Sequence, residues 1–292
     1  MSPTRHARRG VVAFAALGVG FTIDPDHHPA AGVLIDLLRD MQVSTPLRGT
    51  SALRVESLPF RRADGPLPLL RVRLGASELV GSVVEGSLVS HLLIELNRLA
   101  ARSVPLAVHA SAATLDGKTV LLPGASLSGK TTLATTLAVT GGELLTDEVA
   151  ALGDDTTTVV RYGKPVALRP ASVTLLADRI ARLGTPGSPY ETDERFVPPS
   201  LLGHPSSADE PTVAIGAVMF PQYLDAARTT LTPLSPAAAL VMLMGATMRP
   251  DGDATTRFRS LERLARSVPA ATLVYGDAFE AARTIRSFLQ LL

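Results

Sequence analysis

The segment Gly124-Ala125-Ser126-Leu127-Ser128-Gly129-Lys130-Thr131 constrains this chain more than any other feature. It matches G-x-x-x-x-G-K-[ST], in which a glycine-rich turn joins a strand to a helix around phosphate. The glycines let successive backbone N–H groups converge on anionic oxygens. Lys130 supplies a positive charge for the outer phosphates, and the Thr131 hydroxyl is a ligand for Mg²⁺. A following helix points its positive end at the anion. The context fits: Thr119 to Leu122 reads as a strand, and Lys130 to Val139 as a helix stopped by Gly141-Gly142. A plain Gly/Ser turn that happens to hold a lysine is the rival reading. It is weakened by that context and by scarcity, since the only lysines are Lys118, Lys130 and Lys164. Residues Gly124 to Thr132 are therefore the expected contacts of ATP and its Mg²⁺.

Three further side chains bear on the chemistry. Asp147, with Glu148 beside it, ends a short strand (Leu144-Leu145) after the phosphate-loop helix. A carboxylate there can hold Mg²⁺ or accept the proton of an attacking hydroxyl, and it can equally be a solvated strand end. A conventional P-loop ATPase carries four apolar residues before such an aspartate; Thr146 interrupts that run and disfavours this class. His109 lies in a strand candidate. It is either structural or a partner for phosphate or a neighbouring carboxylate.

The rest of the chain divides near Pro105, giving an accessory α+β unit over residues 1–104 and a P-loop unit over 105–292. In the first, Val11 to Ile23 reads as one or two strands and Ala31 to Met41 as a helix. Leu53 to Phe60 and Leu67 to Val83 read as short strands. In Leu88 to Ala101, Leu88, Leu92, Leu93, Leu96 and Leu99 mark an amphipathic helix. In the second, Leu106 to Thr114 and Thr119 to Leu122 flank Asp116-Gly117, a hairpin signal. Strands are expected at Val149 to Leu152, Thr157 to Tyr162, Pro165 to Leu168, Val213 to Phe220 and Thr272 to Tyr275. Helices are expected at Pro236 to Met248, Leu261 to Ser267 and Phe279 to Leu291. Thr185 to Glu210, rich in Pro, Gly, Ser and acidic residues, reads as a long surface excursion.

Bulk properties exclude several classes. Apolar residues make up 46% and charged residues 19%, enough to bury a core and not the signature of a disordered chain. A net charge of +1 gives no nucleic-acid footprint. No apolar run reaches the roughly 18 to 20 residues of a membrane span. The absence of cysteine excludes disulfides and thiolate metal sites, and suits a cytoplasmic protein. Arg5, Arg8 and Arg9 before Val11 to Ile23 imitate a secretory signal, but an opening strand with a basic lead-in is the preferred reading.

Taken together, His109-Ala110-Ser111, Leu121-Leu122-Pro123-Gly124 with the loop, and Leu144-Leu145-Thr146-Asp147-Glu148-Val149 resemble the catalytic domain of HPr kinase/phosphorylase. They look still more like the divergent HPr-kinase-related proteins of bacterial gene clusters, some of which phosphorylate peptides such as lasso-peptide precursors. His109 precedes Lys130 by 21 positions and Asp147 follows it by 17, spacings similar to that family's. The resemblance implies an α/β (mixed α+β) fold with the P-loop on a mixed, partly antiparallel sheet of the HPr kinase/phosphoenolpyruvate carboxykinase type. It implies an Mg-ATP-dependent serine kinase acting on a small protein or peptide, and self-association. Asp147 would be the general base and Thr131 a ligand of the metal; Glu148 would support the metal or Asp147, with His109 beside that carboxylate. Alternatives are a small-molecule kinase and a non-catalytic ATP-binding module. The glycine-rich segment that accompanies phosphorylase activity has no counterpart here, which argues against the reverse reaction. Lys164-Pro165 resembles a lysine-proline step of related kinases, and Arg195 is a candidate phosphate contact from the long loop.

Overall fold

A computed structural model describes residues 10–58, 69–82, 87–182, 194–203, 211–248 and 253–292. The first elements are β1 (Val12–Ala16), β2 (Val19–Ile23), α1 (Pro29–Leu37), β3 (Ser51–Leu58), β4 (Leu69–Leu74), β5 (Ser77–Ser82) and α2 (Ser87–Ser103). The strands form one sheet in the order β1-β2-β3-β4-β5, antiparallel except for the parallel β2–β3 pair. The apolar run Val12 to Ile23 is thus a hairpin, with Phe14 and Phe21 stacked at 5.1 Å between ring centroids. Helix α2 buries Leu88, Leu92, Leu93 and Leu96 in the core beneath this sheet. Each such leucine stabilises by about 1.5–3 kcal/mol before ordering costs.

The second series is β6 (Ala107–Val108), β7 (Ala110–Leu115), β8 (Lys118–Pro123), α3 (Lys130–Val139), β9 (Glu143–Thr146), β10 (Ala150–Ala151), β11 (Thr158–Val160), β12 (Val166–Leu168), α4 (Pro170–Arg182) and β13 (Arg195–Val197). It continues with β14 (Thr212–Tyr223), β15 (Thr230–Leu234), α5 (Pro236–Gly245), α6 (Ala254–Ser267), β16 (Ala270–Tyr275) and α7 (Ala278–Gln290). The main sheet runs β15-β16-β14-β8-β7-β9, with β11 pairing to the start of β14. Strands β8, β14 and β16 are mutually parallel, whereas β7 is antiparallel to both β8 and β9. The fold is therefore mixed α+β on a mixed, partly antiparallel sheet.

Alternation explains the layering. On β14, Ala217 and Met219 join Leu133 and Leu137 of α3 and Ile285 of α7 in one buried cluster. Their neighbours Val218 and Phe220 join Leu243 of α5 and Leu261 and Leu264 of α6 in another. Period-two side chains thus make two apolar faces, and each face is covered by a helix pair.

The two series share a core. Ala107, Val149, Tyr162 and Phe196 belong to the same buried cluster as Leu34, Leu92 and Leu96. The Ser200 backbone N–H also donates to Asp40 Oδ2 at 2.8 Å.

Several expectations need correction. The strand expected over Leu106 to Thr114 breaks at His109: β6 pairs with β10, and β7 joins the main sheet. The helix expected over Ala31 to Met41 ends at Leu37, and Arg39–Met41 is a 3₁₀ turn. Helix α6 starts at Ala254 rather than Leu261, because Asp253 caps the N–H groups of Thr255 and Thr256. Helix α4 and strand β15 were not foreseen. The described part of Thr185 to Glu210 is no surface excursion: β13 pairs with β12 and buries Phe196 and Val197. The rest of that segment, with Arg5, Arg8, Arg9, Phe60 and Val83, lies outside the described residues. No helix among the described residues is long and apolar enough to cross a membrane.

Candidate phosphate-binding and transfer site

The C-terminal ends of the parallel strands converge on one loop. Gly124 to Gly129 leave β8 and enter α3 at Lys130. Gly129 caps the helix with φ of 91°, and a Cβ on it would overlap the Tyr275 hydroxyl. That hydroxyl ends β16 and donates to the Gly129 carbonyl at 3.0 Å. At the end of β14, the Tyr223 N–H donates to the Ser128 carbonyl at 3.1 Å. At the other end of the loop, a Cβ on Gly124 would lie 2.7 Å from Ser128 Oγ. The loop is thus held in shape by its neighbours, as an anion cradle requires.

Register brings the distant residues in. Ala110 of β7 pairs with Pro123, just before the loop, and Ala112 pairs with Thr146, just before Asp147. Strand β7 lies between β8 and β9, so its first residues meet both strand ends. The Gly124 N–H donates to the His109 carbonyl at 3.3 Å. Ser111 Oγ donates to Asp147 Oδ1 at 2.5 Å, and Thr131 Oγ1 donates to the same oxygen at 3.0 Å. Asp147 is only 2% exposed.

Glu148 takes a separate direction. Its φ is 71°, so the backbone turns sharply between the two carboxylates. His109 Nε2 lies 2.8 Å from Glu148 Oε2 and donates to it. The His109 ring is thus bonded to Glu148, while Asp147 Oδ1 receives the two hydroxyls. The His109 hydrogen bond is the main cause that lowers the Glu148 pKa to about 2; Lys164 and Lys130 add to it, and burial opposes it. The Glu148 side chain is 42% exposed.

Lys130 is 4% exposed, and its Nζ donates to the Ala125 carbonyl at 2.9 Å. Burial lowers its pKa, while Glu148 and Asp147 pull it back up. Lys164 is buried, with its Nζ on the Pro165 carbonyl at 3.1 Å. Thr132 Oγ1 is 2.6 Å from Ser172 Oγ of α4.

These groups surround a cavity of about 610 Å³. Ser126, Leu127, Lys130, Thr131, Asp147 and Glu148 line it, and so do Gly129, Thr132 and Lys164. His109 reaches the cavity through Glu148. Arg195 is not among the lining residues, although its neighbours Glu194 and Phe196 are. Arg169, Ser172, Tyr223, Tyr275 and Asp277 also line it, and none of the five belongs to a motif visible in the sequence. Of the two tyrosines only Tyr275 stands at the end of an expected strand; Tyr223 lies three residues beyond Phe220, where the expected strand stops.

The donor set fits a nucleoside triphosphate with Mg²⁺. Ser128 Oγ is buried with no hydrogen-bond partner among the described residues. Such an orphaned hydroxyl next to a helix N-terminus calls for an acceptor. Thr131 and Asp147 would offer two oxygens to an Mg²⁺ ion, a hard cation that takes few protein ligands. No group of three or more metal-ligating His, Cys, Asp or Glu side chains occurs among the described residues. No protein-family model matches this chain, and no curated protein matches it in sequence.

Proposed function

We propose that this chain is an Mg-ATP-dependent kinase that transfers the γ-phosphate to a hydroxyl, the acceptor being a serine of a small protein or peptide. The observation that carries this reading is the contact from Thr131 Oγ1 to Asp147 Oδ1, 3.0 Å, beside the buried Lys130. It ties the phosphate loop to a carboxylate from a different strand. A loop that merely bound an anion has no need of it. The serine acceptor rests on the HPr-kinase-like resemblance of the His109, loop and Asp147 motifs.

In this reading the loop amides, Ser128 and Lys130 hold the triphosphate. Thr131 and Asp147 would hold Mg²⁺, which when bound would supply charge neutralisation at the phosphate oxygens. The two carboxylates then differ in task. Asp147 is buried against the loop threonine and serves the metal side. Glu148, ionised and open to the cavity, serves the acceptor side, held by His109. This moves the base role from Asp147, where the resemblance puts it, to Glu148. The acceptor oxygen bonds to the γ-phosphorus as the bond from that phosphorus to the β–γ bridging oxygen breaks. ADP leaves with the electron pair, and the acceptor proton passes to the Glu148 carboxylate. A carboxylate of low basicity suffices, because positioning and charge neutralisation supply most of the catalysis of phosphoryl transfer.

The division is tested by Mg²⁺ titrations of transfer from labelled ATP to a serine-containing peptide mixture. Asp147→Asn should raise the Mg²⁺ needed for half-maximal rate. Glu148→Gln should lower the maximal rate without moving that midpoint. The reverse pattern would return the base to Asp147.

A further inference from the structure

We infer that helix α2 of the N-terminal series is the acceptor-docking wall of the site. Its occupant is an extended peptide segment with an apolar side chain close to the phosphorylated hydroxyl. This rests on the kinase reading above.

Three observations carry it. First, α2 reaches the cavity: Ser90, Leu93, Ile94 and Asn97 line it, together with Lys130, Thr131 and Glu148. These four recur at helical spacing, so they present one face. Second, that face is unlike an ordinary solvated one. Ile94 is 64% exposed, and across the same cavity Leu127 at the tip of the phosphate loop is 73% exposed. Leu175 of α4 is exposed in the same cavity. A phosphate site has no use for branched apolar side chains in its mouth; an apolar residue of a substrate does. Third, Asn97 Oδ1 is buried and has no hydrogen-bond partner among the described residues. A buried amide oxygen without a donor is costly, and an extended backbone supplies N–H groups to satisfy it.

The position of α2 selects peptide over nucleoside base. Leu92, Leu93 and Leu96 share a buried cluster with Val149, the residue after Glu148, and with Phe196, which also lines the cavity. The wall therefore shares both its core and its cavity with the segment that carries the carboxylate assigned to the acceptor. The other end of the loop is bounded by Tyr223 and Tyr275, whose rings meet edge-on at 5.7 Å. Exposed Tyr223 offers the aromatic face on which a base stacks, leaving α2 for the acceptor.

The test uses the full chain, labelled ATP and a peptide library with a fixed central serine and degenerate flanking positions. Wild type should prefer an apolar residue at one flanking position by about 10-fold, the value of burying one such side chain. Ile94→Asp should abolish that preference, and a basic residue should become the favoured one there. ATP affinity measured by calorimetry should stay within about twofold of wild type. Asn97→Leu provides the second arm: removing an unsatisfied buried oxygen should leave the melting temperature equal or higher, while KM for the preferred peptide rises about 10-fold. A preference that survives Ile94→Asp overturns the docking assignment and leaves the kinase standing. A fall in ATP affinity with unchanged peptide preference also overturns it and assigns the wall to the nucleoside. A wild type that binds ATP and labels no library member overturns the kinase reading itself, and the wall with it.

Discussion

Thr131 and Asp147 stand 16 residues apart in sequence, on a helix and after a strand, and meet through one 3.0 Å hydrogen bond. That bond joins the part of the site made by a local motif to the part made by the sheet. Neutralising the carboxylate should separate binding from transfer. Asp147→Asn keeps an acceptor for Thr131 and Ser111 but removes the charge. Phosphoryl transfer should fall by at least about 100-fold, while metal-free ATP affinity changes little. Paired calorimetry and label-transfer assays check this; equal losses in both would make Asp147 a plain nucleotide contact.

Lys130→Ala should weaken ATP binding by about 10- to 100-fold, the value of a charge-assisted hydrogen bond to phosphate. Lys130 is also buried against the Ala125 carbonyl, so the substitution removes a desolvated cation as well as a contact. Calorimetric titration measures it, and an unchanged affinity would rule out the phosphate-loop reading.

The loop was legible because its determinants are local. Glycines, one lysine and a threonine follow a strand and open a helix, all within residues 118–139. The partnership of His109 was not legible. The sequence leaves phosphate and a neighbouring carboxylate open as its partner, and the left-handed turn at Glu148 sends the two carboxylates to different neighbours. A positive φ at a glutamate leaves no mark in composition or periodicity. Strand β13 was lost for another reason. Three residues cannot show a period, and their burial depends on pairing with β12, about 30 residues earlier. Strand β15 contains Pro233, which reads as a strand breaker; as an edge strand it tolerates proline. Long elements with full periods, such as α2, α7 and β14, were read correctly in kind and to within a few residues.

Glu148 carries a pH signature. Its folded pKa is depressed from 4.5 to about 2, chiefly by the hydrogen bond from His109. A depressed carboxylate stabilises the fold above its ordinary pKa and loses that contribution as pH falls toward the folded value. Wild type should therefore lose melting temperature more steeply than Glu148→Gln between about pH 5 and pH 3. The difference should be modest, since the side chain is partly exposed and solvent screens it. Parallel slopes would indicate that the His109 contact contributes nothing to stability.

Gly129→Ala should destabilise the fold by about 2–5 kcal/mol. The left-handed conformation costs an L-residue about 1–2 kcal/mol, and overlap with the Tyr275 hydroxyl adds about 1–3. Combining it with Tyr275→Phe removes the overlapping atom and should recover the second part only. Thermal denaturation of the four proteins in that cycle gives the coupling; strict additivity would contradict the contact.

The kinase assignment is tested most directly by transfer of label from γ-labelled ATP to a serine-containing peptide mixture, with Lys130→Ala and Asp147→Asn alongside. Wild type should label peptide serine in an Mg²⁺-dependent manner; Lys130→Ala should label little or none, and Asp147→Asn at least about 100-fold more slowly at the same Mg²⁺. ATP bound tightly by wild type, with no peptide labelled at any Mg²⁺ concentration, would contradict it.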